Sequence, residues 1–240
     1  MTKVTYLDHS GFAVQLPDVV LVFDYCRDPS HALHKILGHN PQAHVIFLVS
    51  HRHHDHFNDG IFEMAQNHKR VYVISNDVPA QLIPSTLDVA GMSPGDTIDT
   101  LPGGITVKAY PSTDEGVSFM VTTADGKKIF HAGDLNSWHW KDESTPREVQ
   151  HAQTLFTKAL NRIASENPAV DIAMFPVDPR QGTDFGAGAL EFLKAIKVGQ
   201  FFPMHFWQYK DEACAFTDSI PADLTTVHCL STPGESVEVK

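Results

Sequence analysis

The sequence contains few cysteines, and they form no recognisable pattern. Cys26, Cys214 and Cys229 are three in number, far apart along the chain and without a C-x-x-C pair. This spacing predicts neither a disulfide framework nor a thiolate zinc site, and it favours a reducing compartment. The first residues, "MTKVTYLDHSGFAV", contain neither a hydrophobic signal core nor a small-residue cleavage site. We therefore expect no export and a cytoplasmic location.

Long apolar runs and linker-like segments are also missing. The longest apolar stretches, such as residues 19–23 and 45–49, fall far short of the roughly 20 residues that a membrane-spanning helix needs. No membrane partner is therefore expected. No repeat, low-complexity tract or run of Gly, Ser or Pro divides the chain. With 240 residues, of which 42% are hydrophobic, the sequence predicts a single domain over residues 1–240.

Positive charge is in deficit. The chain has 29 acidic and 18 basic residues and a formal net charge of −11, which opposes binding to a polyanion. We expect a small-molecule substrate and no nucleic acid. Two bound divalent cations would add about +4 at one place, so an anionic substrate stays open. The oligomeric state does not follow from the sequence.

Short strands separated by turn signals fill the first 130 residues, and helices become clear afterwards. The predicted strands cover residues 4–7, 12–16, 19–23, 45–49, 71–74, 105–110, 117–122, 128–131, 172–177 and 201–204. Thr145, Pro146 and Glu148 form the signature of a capping box, and the helix that they start ends before Pro168. Its apolar face is predicted to contain Val149, Ala152, Leu155, Phe156, Ala159, Leu160 and Ile163. A second helix is predicted over residues 188–197. Strands with interleaved amphipathic helices predict an α/β layered domain.

The segment "VIFLVSHRHHDHF" places the string H-x-H-x-D-H directly after a predicted buried strand. Because side chains alternate along an extended chain, His51 and His53 point the same way. Asp55 and His56 follow where the chain must turn. Imidazole nitrogen and carboxylate oxygen suit zinc, manganese or iron, so the string offers enough ligands to begin two metal sites.

Three later strands end on residues of the same kind. "KKIFHAGDLN" leads to Asp134, "DIAMFPVD" ends at Asp178, and "FFPMHF" ends at His205. In layered α/β folds the ends of strands are where sites are assembled. The recurrence therefore predicts one site that is built from distant parts of the chain.

The order of H-x-H-x-D-H, then H-A-G-D, then a late histidine resembles the metallo-β-lactamase fold superfamily. The early "HSGF", residues 9–12, resembles the branch of small bacterial metal-dependent hydrolases related to ascorbate-6-phosphate lactonase. The resemblance implies a four-layer αββα sandwich with a metal site at one edge of two sheets. It implies one or two divalent metal ions, with zinc favoured and manganese or iron as alternatives. Matched residue by residue, it implies that His51 and His53 bind the first metal, Asp55, His56 and His205 the second, and Asp134 both.

One ligand of the family pattern is missing. The third histidine of the first metal should fall within "VKAYPSTDEGVSFMV", and this stretch contains none. Asp114 can replace it with a carboxylate, a hydroxyl group or water can fill the place, or the first site can be weak. We favour Asp114 as the replacement. The competing interpretation is that Asp114 and Glu115 only cap a turn.

Other polar and aromatic side chains are expected near the metals. Asp24, which closes the strand "VVLVFD", is a candidate to hold a metal-bound histidine by a hydrogen bond. The remaining candidates for orienting or substrate-binding roles are His9, His131, Asp178, Trp138, His139 and Lys141. For each of these a purely structural role is the alternative, and Trp138 and Trp140 can pack under the helix that begins near Pro146. Arg52 is expected to point away from the metals and to pair with an acid.

These features predict a metal-dependent hydrolase in which an activated water attacks an ester, lactone or phosphoester, with Asp55 and Asp134 as catalytic carboxylates. Two alternatives stay open. The first is an iron-containing redox member of the same fold, because His and Asp ligands do not by themselves select iron from zinc. The second is a non-catalytic metal-binding protein with a degenerate first site. A helical phosphohydrolase of the HD type is disfavoured because the ligands follow strands.

Overall fold

The computed structural model describes residues 2–239, which form two seven-stranded sheets packed face to face. The strands are β1 (Thr2–Asp8), β2 (Gly11–Gln15), β3 (Val19–Phe23), β4 (His44–Val49), β5 (Arg70–Ser75), β6 (Val89–Met92), β7 (Thr97–Leu101), β8 (Ile105–Pro111), β9 (Val117–Thr122), β10 (Lys128–His131), β11 (Ala169–Pro176), β12 (Lys197–Met204), β13 (Thr226–Val227) and β14 (Ser236–Val239). The helices are α1 (Ala32–His39), α2 (Pro146–Glu166), α3 (Ala187–Ala195) and α4 (Lys210–Asp218). The first sheet has the order β14-β1-β2-β3-β4-β5-β6 and the second β13-β12-β11-β10-β9-β8-β7.

The central strands of the first sheet are apolar on both faces because each face has its own core. In β3, Leu21 and Phe23 pack in the core that joins the two sheets. Val20 and Val22 pack on the opposite face with Leu33 and other residues of α1. A strand that is buried on both faces reads as a continuous hydrophobic run. Each fully buried side chain of this size contributes roughly 1.5–3 kcal/mol of transfer free energy. The predicted four-layer αββα sandwich is confirmed.

Helix α2 covers the outer face of the second sheet. The predicted capping box is present, because Thr145 Oγ1 accepts a hydrogen bond from Glu148 N and the Glu148 side chain accepts one from Thr145 N. The helix buries Phe156 and three other residues of the predicted face, Ala159, Leu160 and Ile163. Leu155 is an exception, since its side chain is 43% exposed. It lies about 100° around the helix from Phe156 and therefore falls outside the narrow buried stripe.

Two further predictions from the sequence need correction. The helix predicted to end at residue 197 ends at Ala195, because Lys197 already pairs in register with Ala169 at the start of β12. The prediction that the cysteines form no disulfide is wrong for one pair. Cys214 in α4 and Cys229 after β13 form a disulfide, with their Cα atoms 5.6 Å apart. Cys26 is free and buried. Sequence spacing hid the pair because α4 and β13 meet only in the folded chain.

None of the helices within residues 2–239 is long and apolar enough to cross a membrane. Most apolar residues of the described part of the chain pack in the two cores.

The parallel strands of both sheets end at the same edge of the sandwich. Strands β3, β4 and β5 are parallel neighbours in the first sheet, and β10, β11 and β12 are parallel neighbours in the second. Two backbone hydrogen bonds join the sheets at this edge: Val117 N donates to Ser50 O at 2.9 Å, and His205 N donates to His9 O at 3.3 Å. The segments that follow these strands are thereby brought together.

Gly116 allows the β8–β9 turn to approach the loop after β4. Its φ angle is +66°, and a Cβ atom there would lie 2.0 Å from Ser50 O and 2.6 Å from His51 Cβ. Ser50 O belongs to the backbone and His51 Cβ is attached directly to it. A Cβ atom at residue 116 therefore fits only if the backbone that carries His51 shifts.

We expect Gly116→Ala to lower the free energy of unfolding by about 2–5 kcal/mol, through an unfavourable φ and overpacking. Gly126→Ala is the matched control, because Gly126 also has positive φ (+84°) but a Cβ atom there meets nothing within 4 Å. The control should cost only about 1–2 kcal/mol. Urea unfolding of both variants measures the difference, and equal losses would show that the collision at Ser50 is relieved without cost.

Candidate metal centre

Asp134, which follows β10, lies at the centre of a cluster of histidines. Its Oδ2 atom lies 3.3 Å from His51 Nε2, and its Oδ1 atom lies 3.0 Å from His56 Nε2 and 3.3 Å from His205 Nε2. The two oxygens therefore face two sets of side chains. The first group consists of His51, His53 and Asp134, and the second group of Asp55, His56, His205 and the shared Asp134. These are the residues that the sequence analysis assigned to two metals; their role as ligands stays a prediction.

The loop after β4 positions four of these side chains. His51 and His53 converge as the strand alternation predicted, with His51 Nε2 3.1 Å from His53 Nδ1. The carbonyl of His53 accepts hydrogen bonds from His56 N and Phe57 N, so the chain turns tightly there. The turn directs His56 back beside His51, with ring centroids 4.1 Å apart.

Asp24, fully buried after β3, determines how the imidazoles of His56 and His51 are oriented. Its carboxylate accepts hydrogen bonds from Ser50 N (2.7 Å) and Ser50 Oγ (2.6 Å), and it lies 2.7 Å from His56 Nδ1. Because a carboxylate only accepts, His56 carries a proton on Nδ1. The Ser50 hydroxyl has given its hydrogen to Asp24, so His51 Nδ1, 2.9 Å away, must donate to Ser50 Oγ. The Nε2 atoms of both histidines are then left to face Asp134.

His205 and His53 each have a carboxylate behind the ring. Asp178 Oδ2 lies 3.0 Å from His205 Nδ1, and Arg180 holds Asp178 in place with a 2.5 Å ion pair. The hydrogen bond to Asp178 fixes the ring of His205 and its tautomer. Glu115 Oε2 lies 3.5 Å from His53 Nε2, too far for a hydrogen bond, while Glu115 Oε1 accepts from Arg52 at 2.6 Å. The sequence had suggested Glu115 only as a turn former, because nothing in its local pattern indicates that it meets His53.

Several buried polar atoms in the cluster have no hydrogen-bond partner. They include His56 Nε2, Asp134 Oδ1 and both ring nitrogens of His9. Each such atom costs about 1–3 kcal/mol if nothing compensates it. The separations of 3.0–3.3 Å around Asp134 match neighbouring ligands of a divalent ion, which lie about 3.0–3.4 Å apart when each is ~2.1 Å from the metal. The nitrogen and oxygen donors therefore fit a divalent cation such as zinc, manganese or iron.

Mutual electrostatics shift the pKa values of the central pair strongly. Burial works to raise the pKa of Asp134, but His56 and His205 outweigh it and hold the pKa well below its ordinary value. Burial works to lower the pKa of His56, but Asp134 and Asp24 raise it well above the ordinary value. A nitrogen and a carboxylate oxygen that face each other in this way need a cation between them, either a proton or a metal ion.

The region of the missing histidine offers Asp114 as the nearest carboxylate. Asp114 Oδ2 lies 4.0 Å from His53 Nδ1, and its side chain is 50% exposed. The hydroxyl of Thr113 is engaged with the carbonyl of Asn136 at 2.6 Å, and Ser112 Oγ accepts from Asp114 N. Burial and the nearby Asp134 raise the pKa of Asp114. Asp114 lies at the margin of the first group, and its carboxylate must rotate to join it.

A cavity of about 290 Å³ opens beside the cluster. It is lined by His53, Asp55, Thr113, Asp114, Asp134, Trp138, Trp140, Arg180, His205 and Trp207. Trp138 Nε1 donates to the carbonyl of Asp134 at 2.7 Å, and the rings of Trp138 and Trp140 stack with centroids 6.4 Å apart. Trp138 and Trp207 lie beside His205, with ring centroids 5.3 and 6.5 Å from its ring, so aromatic surface borders the histidines. Trp207, which the sequence analysis did not assign to the site, reaches it from the segment after β12, and Arg180 reaches it from the segment after β11.

Three candidates from the sequence, His131, His139 and Lys141, are absent from the cavity lining and have their partners elsewhere. His131 lies with Nε2 2.8 Å from the carbonyl of Ser10, accepts on Nδ1 from Gly133 N, and stacks on Phe23. His139 is buried with both ring nitrogens engaged by backbone groups. The ammonium group of Lys141 pairs with Asp184 at the surface. The contacts of these side chains are structural.

The comparisons with known proteins identify the family and the fold of the chain. The model of a family described as "Beta-lactamase superfamily domain" matches residues 22–206. A UPF0173 metal-dependent hydrolase from Bacillus licheniformis is 27% identical over 256 residues, which cover 99% of this chain and 100% of the relative. The metallo hydrolase Igni18 from Ignicoccus hospitalis superposes with a TM-score of 0.67 at 20% identity, covering 100% of this chain and 99% of Igni18. CmlA, a diiron β-hydroxylase from Streptomyces venezuelae, superposes with a TM-score of 0.67 at 11% identity over 99% of this chain and 54% of CmlA.

Metal affinity should rise with pH through the neutral range. Because Asp134 and Asp24 raise the pKa of His56, chelator-treated protein keeps a proton on Nε2 at neutral pH, and a cation must displace it. Loss of one proton corresponds to an affinity that increases about tenfold per pH unit until the pH passes the pKa of His56. Calorimetry with zinc or manganese in buffers of different ionisation enthalpy measures the released proton. A constant affinity with no proton release would contradict the assigned charge states.

Proposed function

The chain belongs to the beta-lactamase superfamily domain family, and on that premise we propose that it is a metal-dependent hydrolase that attacks an ester, lactone or phosphoester with an activated water. The observation that carries this proposal is the orientation of three imidazoles. The Nε2 atoms of His51, His56 and His205 all face the carboxylate of Asp134, and each ring is held from its far side by a hydrogen bond. The curated relatives, which are named metal-dependent hydrolases, support the same reaction class.

A bound divalent ion supplies an activated water at neutral pH, because it lowers the pKa of that water from 15.7 to about 7. The residues of the chain provide position and charge. Asp134 offers one oxygen to each group and holds the two positions at a fixed separation. Burial works to raise the pKa of Asp55, but His9 and His56 outweigh it and keep the carboxylate ionised. Asp55 lines the cavity and accepts a hydrogen bond from the attacking water, which orients it.

In this proposal Asp114 supplies the first group with the carboxylate that stands in for the missing histidine. The first group otherwise contains two imidazoles and one shared carboxylate. Asp114 is supported over the neighbouring hydroxyls because Thr113 is already engaged with Asn136. A carboxylate oxygen is a harder ligand than an imidazole nitrogen. With Asp114 the first position therefore suits manganese or iron as well as zinc.

The cavity favours a small substrate with an apolar or aromatic part. Its volume of about 290 Å³ lies near the lower end of the usual range for ligand sites. Trp138, Trp140 and Trp207 supply flat apolar surface in the lining. Arg180 brings a positive charge to the lining, but its guanidinium group already pairs with Asp178. The Cζ atom of Arg180 also lies 4.9 Å from the centroid of the Trp207 ring. An anionic group would therefore meet a cation whose charge is largely compensated.

A redox reaction at iron is the second candidate function. The carboxylates near the first group, Asp114 and Glu115, are compatible with iron as well as zinc, and the same fold carries a diiron β-hydroxylase in CmlA. Metal analysis of the protein as isolated separates the two candidates. Iron together with dioxygen consumption would replace the hydrolase proposal, whereas zinc or manganese with hydrolysis would support it.

We expect Asp134→Ala and His51→Ala each to lower kcat for hydrolysis by at least about 10²-fold, the scale on which groups that stabilise developing charge contribute. A panel of aryl esters, lactones and phosphodiesters with added zinc or manganese provides the assay. His151→Ala is the control, because His151 lies exposed on α2. Circular dichroism and metal content are measured on the same samples. Full turnover in either folded site variant would refute the proposal.

A further inference from the structure

His9 is placed beside the second group by the turn between β1 and β2. Its backbone is in the left-handed region, with φ of 53°, and its N–H donates to Asp8 Oδ1 at 2.8 Å. Its carbonyl accepts the hydrogen bond from His205 N. The turn is therefore hydrogen-bonded directly to the loop that carries His205.

The side chain of His9 lies within the second group. It is 3% exposed, and its Nε2 atom lies 3.3 Å from Asp55 Oδ2. One donor atom from each of His9, Asp55, His56 and His205 lies within 4.8 Å of the other three. Two ligands on opposite sides of a divalent ion are separated by about 4.2 Å when each bond is ~2.1 Å long. The four donor atoms are therefore close enough together for one ion to contact all of them after small side-chain shifts.

The contacts of His9 do not explain it as an ordinary core histidine. Its Nδ1 atom meets no polar partner, and its Nε2 atom faces only the Asp55 carboxylate, at 3.3 Å and without a hydrogen bond. The ring packs at a tilt against its aromatic neighbours, with centroids 4.3 Å from the ring of His205 and 4.5 Å from that of Trp207. A buried polar group without a partner is costly, and such groups in native structures call for an explanation such as an ion that they bind.

We propose that His9 is a ligand of the metal held by the second group, which gives that group five protein ligands. The inference rests on metal binding in the proposed function. It makes the two positions unequal: the second group has His9, Asp55, His56, Asp134 and His205, whereas the first has two imidazoles, the shared Asp134 and the half-exposed carboxylate of Asp114 that the proposed function assigns to it. The metal position of the second group binds its ion more tightly and fills first. The second group has an additional histidine, His9, whereas the first group lacks one.

The test compares His9→Asn with His31→Asn in the full-length protein, using cobalt(II) as the probe after removal of metal by a chelator. Asparagine tolerates the left-handed backbone but its side chain is too short to reach the position of Nε2. His31 is the matched control, since it has the same φ of 53° and an exposed side chain at the start of α1. We expect His9→Asn to weaken binding of the first cobalt equivalent by about tenfold or more, and His31→Asn to leave it unchanged.

Proton NMR of the cobalt protein distinguishes a ligand from a neighbour. With one cobalt equivalent, the imidazole N–H resonances that show contact shifts should number three, from His9, His56 and His205. A count of two in the unmodified protein, or equal affinity in folded His9→Asn, overturns the inference and leaves the proposed function standing. If the unmodified protein binds no cobalt, both fail. Because the count is made on the unmodified chain, it decides the question even if His9→Asn does not fold.

Discussion

The buried carboxylate of Asp24 is the contact on which the metal centre depends. It lies at the end of β3 and is fully buried, and it accepts hydrogen bonds from the backbone and hydroxyl of Ser50 and from His56. Through these bonds it fixes the tautomer of His56 directly and that of His51 through the Ser50 hydroxyl. Asp178 does the same for His205. The imidazoles are therefore oriented from behind, by residues that do not touch the cavity.

Orientation has a cost, because His56 Nε2 and Asp134 Oδ1 are buried atoms that lack hydrogen-bond partners. A protein core of this kind is stable only where surrounding structure holds it, and the two sheets provide that support with their shared apolar core. The parallel strands that end at this edge bring five different segments together, each by a strand that is firmly hydrogen-bonded to its neighbours. Rigid strands thus carry side chains whose mutual arrangement would otherwise be unfavourable.

Much of the fold was predictable, and the elements that were missed share a physical reason. Strands such as β3 and β4 are buried on both faces, so their composition alone identifies them. Helix α1 has no capping side chain at His31; Asp28 supplies the cap from further upstream, accepting from Ala32 N and Leu33 N. Helix α4 and strands β6, β7, β13 and β14 are short or partly exposed, and their periodicity is weak. They form because neighbouring elements pair with them or cover them.

The sequence by itself determined the ligand types and the strands that deliver them, since H-x-H-x-D-H, Asp134 and His205 each follow an apolar run whose end is evident from local composition. Only the tertiary structure decided which side chains meet. It placed Glu115 behind His53, His9 beside Asp55, and Trp207 with Arg180 at the cavity, and it joined Cys214 to Cys229. These pairs are separated by between 15 residues, for Cys214 and Cys229, and 62 residues, for His53 and Glu115 (115 − 53). Their contacts depend on the register of the two sheets, which no local pattern contains.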